Sequence, residues 1–337
     1  MRDDRLDSAK FVLISLVVFG HLLEGFRHVS AGLDLAYRVV YLFHMPAFVF
    51  LSGMVSSDVL DARRGRRLLA AVVIPLLIFQ ALGPAWEVYL KGGEFRYDVV
   101  KPWWILWYLA SLVLWRLSLP LVIGSGIPLV LSIAISLGSG WISDIGHAFS
   151  LSRTATFLPF FVAGYLYATR TGRALPTLSV PAAVALLGVA CAVGYFTTKW
   201  PVSWLYGSVG YHVLAEGNLQ GFAMRSLQLV AGFAGTFAVL SLVPRGGRVL
   251  AWLGAGSMAA YLLHAFVVKL AAAKGWYGPL ASLPVPVALM ATMVVAIALA
   301  VAFSAFGNVF KPAFDYGWLW RKPKVAPDVE SASRGTG

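Results

Sequence analysis

The stretch "DSAKFVLISLVVFGHLLEGF", residues 7–26, decides the fold class. It is long and apolar enough for a bilayer, whose hydrocarbon takes about 20 helical residues to cross. Yet it carries Lys10, His21 and Glu24. Eleven residues make almost three helical turns, so Lys10 and His21 point the same way, about 16 Å apart along the axis. Asp7 and Glu24 fall on the same stripe, each three residues from Lys10 or His21. The stripe between them is apolar, with Ile14 and Val17. A lysine at a span's end can snorkel, and a lone histidine can simply be packed. Two ionisable groups sharing one face of a span point to function, because burying them without a role is costly.

The rest of the chain agrees with a membrane protein. Of its 337 residues 59% are hydrophobic and only 12% charged, about half the charged share of a soluble domain. The first apolar run has charged residues ahead of it and no small-residue cleavage site after it, so it does not read as a removable signal. Cys191 is the single cysteine, which excludes an internal disulfide and a cysteine metal cluster. The net charge of +12 is spread between apolar runs, where it sets topology and meets lipid headgroups rather than nucleic acid.

Ten spans are expected, near 8–27, 36–54, 68–90, 103–118, 120–139, 154–170, 180–197, 222–243, 249–273 and 285–307. The fold class is therefore an all-α integral membrane protein, with one membrane domain over 1–310 and a polar tail over 311–337, disordered from about Ala326. Ten spans put both termini on one side. Most of the 27 basic residues fall on that side, led by "DARRGRR" at 61–67, so both termini are expected to be cytoplasmic. The outer segment at 198–221 mixes Trp, Tyr, His, Asn, Gln and Glu. That mixture suits sugar contacts, and it equally suits an interfacial aromatic belt.

A second polar face appears in "YLFHMPAFVFLSGM", 41–54, where Tyr41, His44, Phe48 and Ser52 recur at helical spacing. Pro46 removes a backbone donor there, and Ser52-Gly53 permits close approach of another helix. Further on stand Arg153, the trio Ser257, Tyr261 and His264 on one helical face, and the weaker candidates Arg225 and Gln228. Nothing resembles a phosphate-binding Walker loop, a dinucleotide glycine signature, HExxH or a GxSxG nucleophile turn.

These motifs, in this order, resemble the membrane acyltransferase-3 family. The family's first span has a basic residue, ten intervening residues and a histidine; Lys10 stands here where arginine is usual. "K…LVVFGH" is similar to the fucose 4-O-acetylase-like branch. "FHMP…F…SG" at 43–53, the paired arginines of "RRGRR", "RTATFLPFFVAGYLY" at 153–167, the tryptophan-rich 103–115 and "GSMAAYLLHAF" at 256–266 also resemble family segments. The resemblance implies an O-acyltransferase, in the first place an O-acetyltransferase, using cytoplasmic acetyl-CoA and no metal. Arg63, Arg64, Arg66 and Arg67 would meet the donor's phosphates. His21 would be the general base or a transient acyl carrier, with Lys10 and Glu24 beside it in the catalytic set. His44, Ser52, Arg153, Tyr261 and His264 would contact substrate.

The acceptor would be a carbohydrate or glycoconjugate handled at a bacterial cytoplasmic membrane. Any onward transfer would need a separate extracytoplasmic protein. A transporter is the rival class, since intramembrane His, Lys and Arg also line solute paths; the absence of repeated halves counts against it. A non-catalytic scaffold explains the polar residues least well.

Overall fold

The computed structural model describes residues 4–142, 146, 148–214, 217–244 and 247–320. Their regular structure is all helical, with no strand among the described residues. The helices are α1 (Asp4–Glu24), α2 (Ala31–Met54), α3 (Ala62–Leu68), α4 (Ile74–Lys91), α5 (Trp107–Gly124), α6 (Pro128–Gly138), α7 (Leu151–Thr171) and α8 (Val180–Phe196). They continue with α9 (Tyr211–Leu214), α10 (Asn218–Leu242), α11 (Arg248–Ala255), α12 (Ser257–Ala273), α13 (Gly278–Ala281) and α14 (Val285–Val309). A π-helical turn, Leu69–Val73, joins α3 to α4 without a loop.

Among the described residues six helices are long and apolar enough to cross a membrane: α1, α2, the continuous Ala62–Lys91, Trp104–Gly124, α10 and α14. A seventh is α11 with α12, bent by 64°. The protein is thus a multi-pass membrane protein. Helix stands at each of the ten predicted segments, but those near 120–139, 154–170 and 180–197 are not among these seven. The break expected at 119 is absent, because α5 continues through Pro120 to Gly124. The chain turns instead at Gly126, whose φ of +75° suits glycine. The next helix, α6, is then only 11 residues long. The predicted span 249–273 is broken at Gly256, where α14 comes so close that a Cβ would overlap the Ser304 carbonyl oxygen.

Helix α1 is central: 78% of its apolar window is buried, against 22% for α14. It packs on α2, α11, α12 and α14. Lipid tails are as apolar as leucine, so spans associate through close packing of small residues rather than through greasiness. α14 shows this in its sequence. Its buried positions are Ala288, Thr292, Ala296, Ala300, Ser304 and Gly307, while Met290, Val294, Val301 and Phe306 are exposed. The α2–α7 contact is closer still: a Cβ on Gly53 would strike the Phe161 carbonyl, and one on Gly164 the Phe50 carbonyl. α2 runs antiparallel to α1, so Tyr41 and His44 come level with His21, and Ser52 level with Lys10.

The segment between α8 and α9 folds over the His21 end and is fastened by buried side chains. Arg38 donates to the Thr197 carbonyl at 2.9 Å and the Trp200 carbonyl at 3.0 Å. Gln228 donates to the Leu205 carbonyl at 2.8 Å. Arg225 reaches the carbonyls of Ser136 (3.1 Å) and Val209 (2.9 Å), and its guanidinium lies 5.0 Å from the Tyr211 ring. The weaker candidates Arg225 and Gln228 are therefore loop anchors. Of the tail, residues 311–320 fold back, with Phe314 buried against Phe79 and Phe306. Its expected disordered end lies outside the described residues.

Candidate active site

A cavity of about 170 Å³ opens at the His21 end. His21 and Glu24 from α1, Tyr41 and His44 from α2, and Arg153 from α7 face into it. Trp104, Trp107 and Phe157 supply apolar walls, and the fastened segment contributes Leu205 and Tyr206. The Tyr206 hydroxyl lies 2.8 Å from that of Tyr37. Burial, then the negative charge of Glu24, pushes the Tyr206 phenol above its ordinary pKa.

Of the polar groups in this cavity, His21 is held from several sides. Its Nδ1 lies 3.3 Å from Glu24 Oε2 and 3.2 Å from the Tyr41 hydroxyl, which is itself 3.4 Å from Glu24 Oε2. An ionised carboxylate only accepts, so Glu24 places the proton on Nδ1 and leaves Nε2 as a bare lone pair. The ring is held on two further sides, by Trp104 edge-on with centroids 4.8 Å apart and by His264 stacked at 5.3 Å. A neutral imidazole oriented by a carboxylate is the arrangement that general-base catalysis requires.

The other two span histidines share one construction. His44 Nδ1 donates to the Val40 carbonyl at 2.8 Å, and His264 Nδ1 to the Ala260 carbonyl at 3.0 Å, each four residues back. Both rings therefore keep Nε2 as an acceptor. Nε2 of His264 is buried without a hydrogen-bond partner among the described residues. Arg153 shares the cavity with Glu24, but among the described residues it forms no ion pair with it. Its guanidinium instead lies over Trp107, 5.1 Å from the ring centre, leaving its charge turned toward the cavity.

Four of the predicted span residues do not line this cavity; one is His264, which stacks on the His21 ring. Lys10 pairs with Asp7 at 2.8 Å and lines a second cavity, of about 240 Å³, at its own end of α1. Ser52 and Tyr261 line that one too. Ser52 Oγ lies 2.6 Å from the Tyr108 hydroxyl, and the Tyr261 hydroxyl donates to the Ile105 carbonyl. Ile105 belongs to the wall of the His21 cavity, so the partition between the two cavities is about one side chain thick.

The four arginines of 63–67 fall on different sides of α3. Asp61 caps the helix, accepting from the Arg64 backbone at 2.7 Å and pairing with its guanidinium at 2.5 Å. The backbone N–H of Arg64 first, and the guanidinium charge after it, hold the Asp61 carboxyl below its ordinary pKa. Arg63 and Arg66 line a cleft against Asp315 and Trp320. Arg64 lines another, with Arg116 and Arg173. Arg67 borders both.

Two features were not read from the sequence. Trp104, within a segment read as a tryptophan-rich interface span, has φ +26°, rare for a side chain of that size. It is clamped between His21 and Lys269, whose ammonium lies 4.6 Å from its ring and pairs with Glu87 at 2.9 Å. Arg116, on α5, is the other. No local motif marks either residue; each gains meaning from a neighbour on another helix.

Comparison with known proteins bears on the family of the chain. The chain is 30% identical over 133 residues to nodulation protein NolL of Sinorhizobium fredii, which covers 34% of this chain and 36% of that protein. It is 41% identical over 59 residues to nodulation protein NolL of Mesorhizobium japonicum, covering 17% of this chain and 16% of that protein. The aligned part is thus about a third or less of these relatives' length. No solved structure matches. The acyltransferase domain model of the acyltransferase-3 family matches residues 3–305, and this chain, with its half-buried histidine–carboxylate pair, belongs to that family.

Proposed function

We propose that the protein is a membrane O-acetyltransferase that moves an acetyl group from cytoplasmic acetyl-CoA to a hydroxyl of a carbohydrate or glycoconjugate. The observation that carries this reading is the Glu24–His21 pair facing a cavity roofed by the segment between α8 and α9. His21 Nε2 takes the proton of the acceptor hydroxyl as its oxygen attacks the thioester carbonyl. Negative charge then gathers on the carbonyl oxygen, and the Arg153 guanidinium is the cation available to it. As the carbon–sulfur bond breaks, the thiolate leaves and takes the proton back from His21. Aromatic faces of Trp107 and Tyr206, with the acceptor nitrogen of His44, suit a sugar ring and its hydroxyls.

In this reading residues 1–310 form one domain of ten spans, with short and bent helices completing the bundle, and 311–337 form the tail. Both termini are cytoplasmic, as the basic residues near the Lys10 end favour. The setting is a bacterial cytoplasmic membrane. Lys10 neutralises or places the inner part of the donor, and the fucose 4-O-acetylase-like branch remains the nearest family pattern for Lys10 with His21. An extracytoplasmic transferase would carry out any later transfer.

The test is transfer of labelled acetyl from acetyl-CoA to candidate glycans by purified wild-type protein and His21→Ala. Label that moves equally in both removes His21 from the mechanism. Solute flux without any acyl transfer would establish a transporter instead.

A further inference from the structure

The notable residue outside the chemistry is Arg116. It projects from α5 where two spaces meet, the surface cleft of about 620 Å³ beside α3 and the 240 Å³ cavity of Lys10; both include Arg116 and Val55 in their walls. It is half-buried. Its Nε is hidden from solvent without a hydrogen-bond partner, and among the described residues Arg116 forms no ion pair with a carboxylate. A hidden guanidinium nitrogen without an acceptor is costly unless a ligand supplies one.

The surroundings say what kind of ligand. The cleft holds Arg64, Arg67, Arg116 and Arg173 against Asp58 and Asp61. Asp61 is already engaged by Arg64, and Asp58 accepts from the Tyr165 hydroxyl. That leaves Arg67, Arg116 and Arg173 as cations without a carboxylate partner among the described residues. Beyond Arg116 the wall becomes mostly apolar, with Phe48, Leu112 and Met258, and Lys10 is the one cation of the described lining past it. Charge is thus concentrated on the α3 side of Arg116, and a smaller, mostly apolar cavity lies on its other side. A ligand matched to this order has a polyanionic head, a diphosphate where head meets arm, and a thin uncharged arm.

We propose that Arg116 is a phosphate-binding residue where the two spaces meet, holding the donor's diphosphate by forked hydrogen bonds together with the Arg64–Arg67 side of α3 rather than the Arg63–Arg66 side. This rests on the acyl-CoA reading above and adds which arginines serve it. The Arg63–Arg66 side faces the tail carboxylate Asp315 across a separate cleft of about 680 Å³ whose lining does not include Arg116. An anionic lipid headgroup offers the same phosphate chemistry, so the experiment separates the two sources.

The protein is placed in phosphatidylcholine nanodiscs and titrated with acetyl-CoA and, separately, with inorganic diphosphate. Arg116→Met is expected to weaken acetyl-CoA binding about tenfold or more, whereas Arg63→Met changes it less than about threefold. Arg116→Lys recovers only part of the loss, because an ammonium lacks the fork. Binding by Arg116→Met within about twofold of wild type overturns the proposal, as does a larger loss from Arg63→Met. If phosphatidylglycerol nanodiscs protect residues 112–120 from hydrogen exchange and acetyl-CoA does not, a lipid owns Arg116 and the proposal falls. If the wild type takes no acetyl-CoA, the acyl-CoA reading fails on its own. Diphosphate then decides for Arg116: binding lost in Arg116→Met upholds the phosphate site, and binding unchanged or absent overturns it. Should Arg116→Met not fold, protection of 112–120 in the wild type by acetyl-CoA supports the site, and its absence overturns it.

Discussion

Glu24 Oε2 lies 3.3 Å from His21 Nδ1, one helical turn along the same face of α1. The carboxylate fixes both the tautomer and the ring's orientation, so the lone pair on Nε2 is directed by a neighbour one helical turn away. His21→Ala is expected to lower kcat about a hundredfold or more, the usual worth of a general base. Glu24→Gln leaves the ring in place but lets Nδ1 lose its proton, and is expected to cost about tenfold or more in kcat with donor KM nearly unchanged. Steady-state transfer of labelled acetyl measures both.

The Tyr41 hydroxyl bridges His21 Nδ1 and Glu24 Oε2, while its ring stacks on Tyr37 with centroids 4.0 Å apart. Tyr41→Phe keeps the stack and removes the bridge, so kcat should fall only severalfold, the scale of about 1 kcal/mol for one neutral hydrogen bond. Tyr41→Ala removes the packing as well and is expected to lower thermal stability in detergent. Comparing the two by activity and melting separates the roles.

Arg153 is the cation over Trp107 that faces the His21 cavity. Replacing it with Met keeps the stem and removes the charge that would meet the developing oxyanion. A loss of about 10²-fold in kcat is expected, comparable to losing one oxyanion donor, with normal folding. Unchanged kcat with weaker acceptor binding would make Arg153 an acceptor anchor instead.

Gly53 and Gly164 let α2 and α7 meet backbone to backbone. Leucine at either position drives a side chain into a carbonyl of the facing helix, and overpacking of this kind costs about 1–3 kcal/mol or more. Loss of monodisperse protein after mild heating is the expected outcome, read by size-exclusion chromatography. Gly65, with nothing near its would-be Cβ, serves as the control: Gly65→Ala should leave stability unchanged.

Much of the architecture was legible in the chain. Apolar length marks the helical segments, and helical periodicity alone put Asp7 beside Lys10 and Glu24 beside His21, as the 2.8 Å and 3.3 Å contacts show. Within one helix, neighbours at three and four residues meet whatever surrounds them. Segment ends were less legible, because Pro120 is tolerated inside α5 while Gly256 breaks a span of similar apolarity. That difference depends on which helix packs there.

Between helices, the sequence by itself was silent. Arg153 and Glu24 share a cavity without pairing, Arg225 and Gln228 fasten a loop, and Lys10 and His21 face separate spaces despite lying on one stripe. α3 turns Arg64 toward Arg116 and Arg63 and Arg66 toward the tail, with Arg67 bordering both sides. Local hydrogen bonding and apolar length determined the helices and the spacing along each one. Where small residues allow backbones to approach decided which faces meet, and therefore which polar side chains share a cavity.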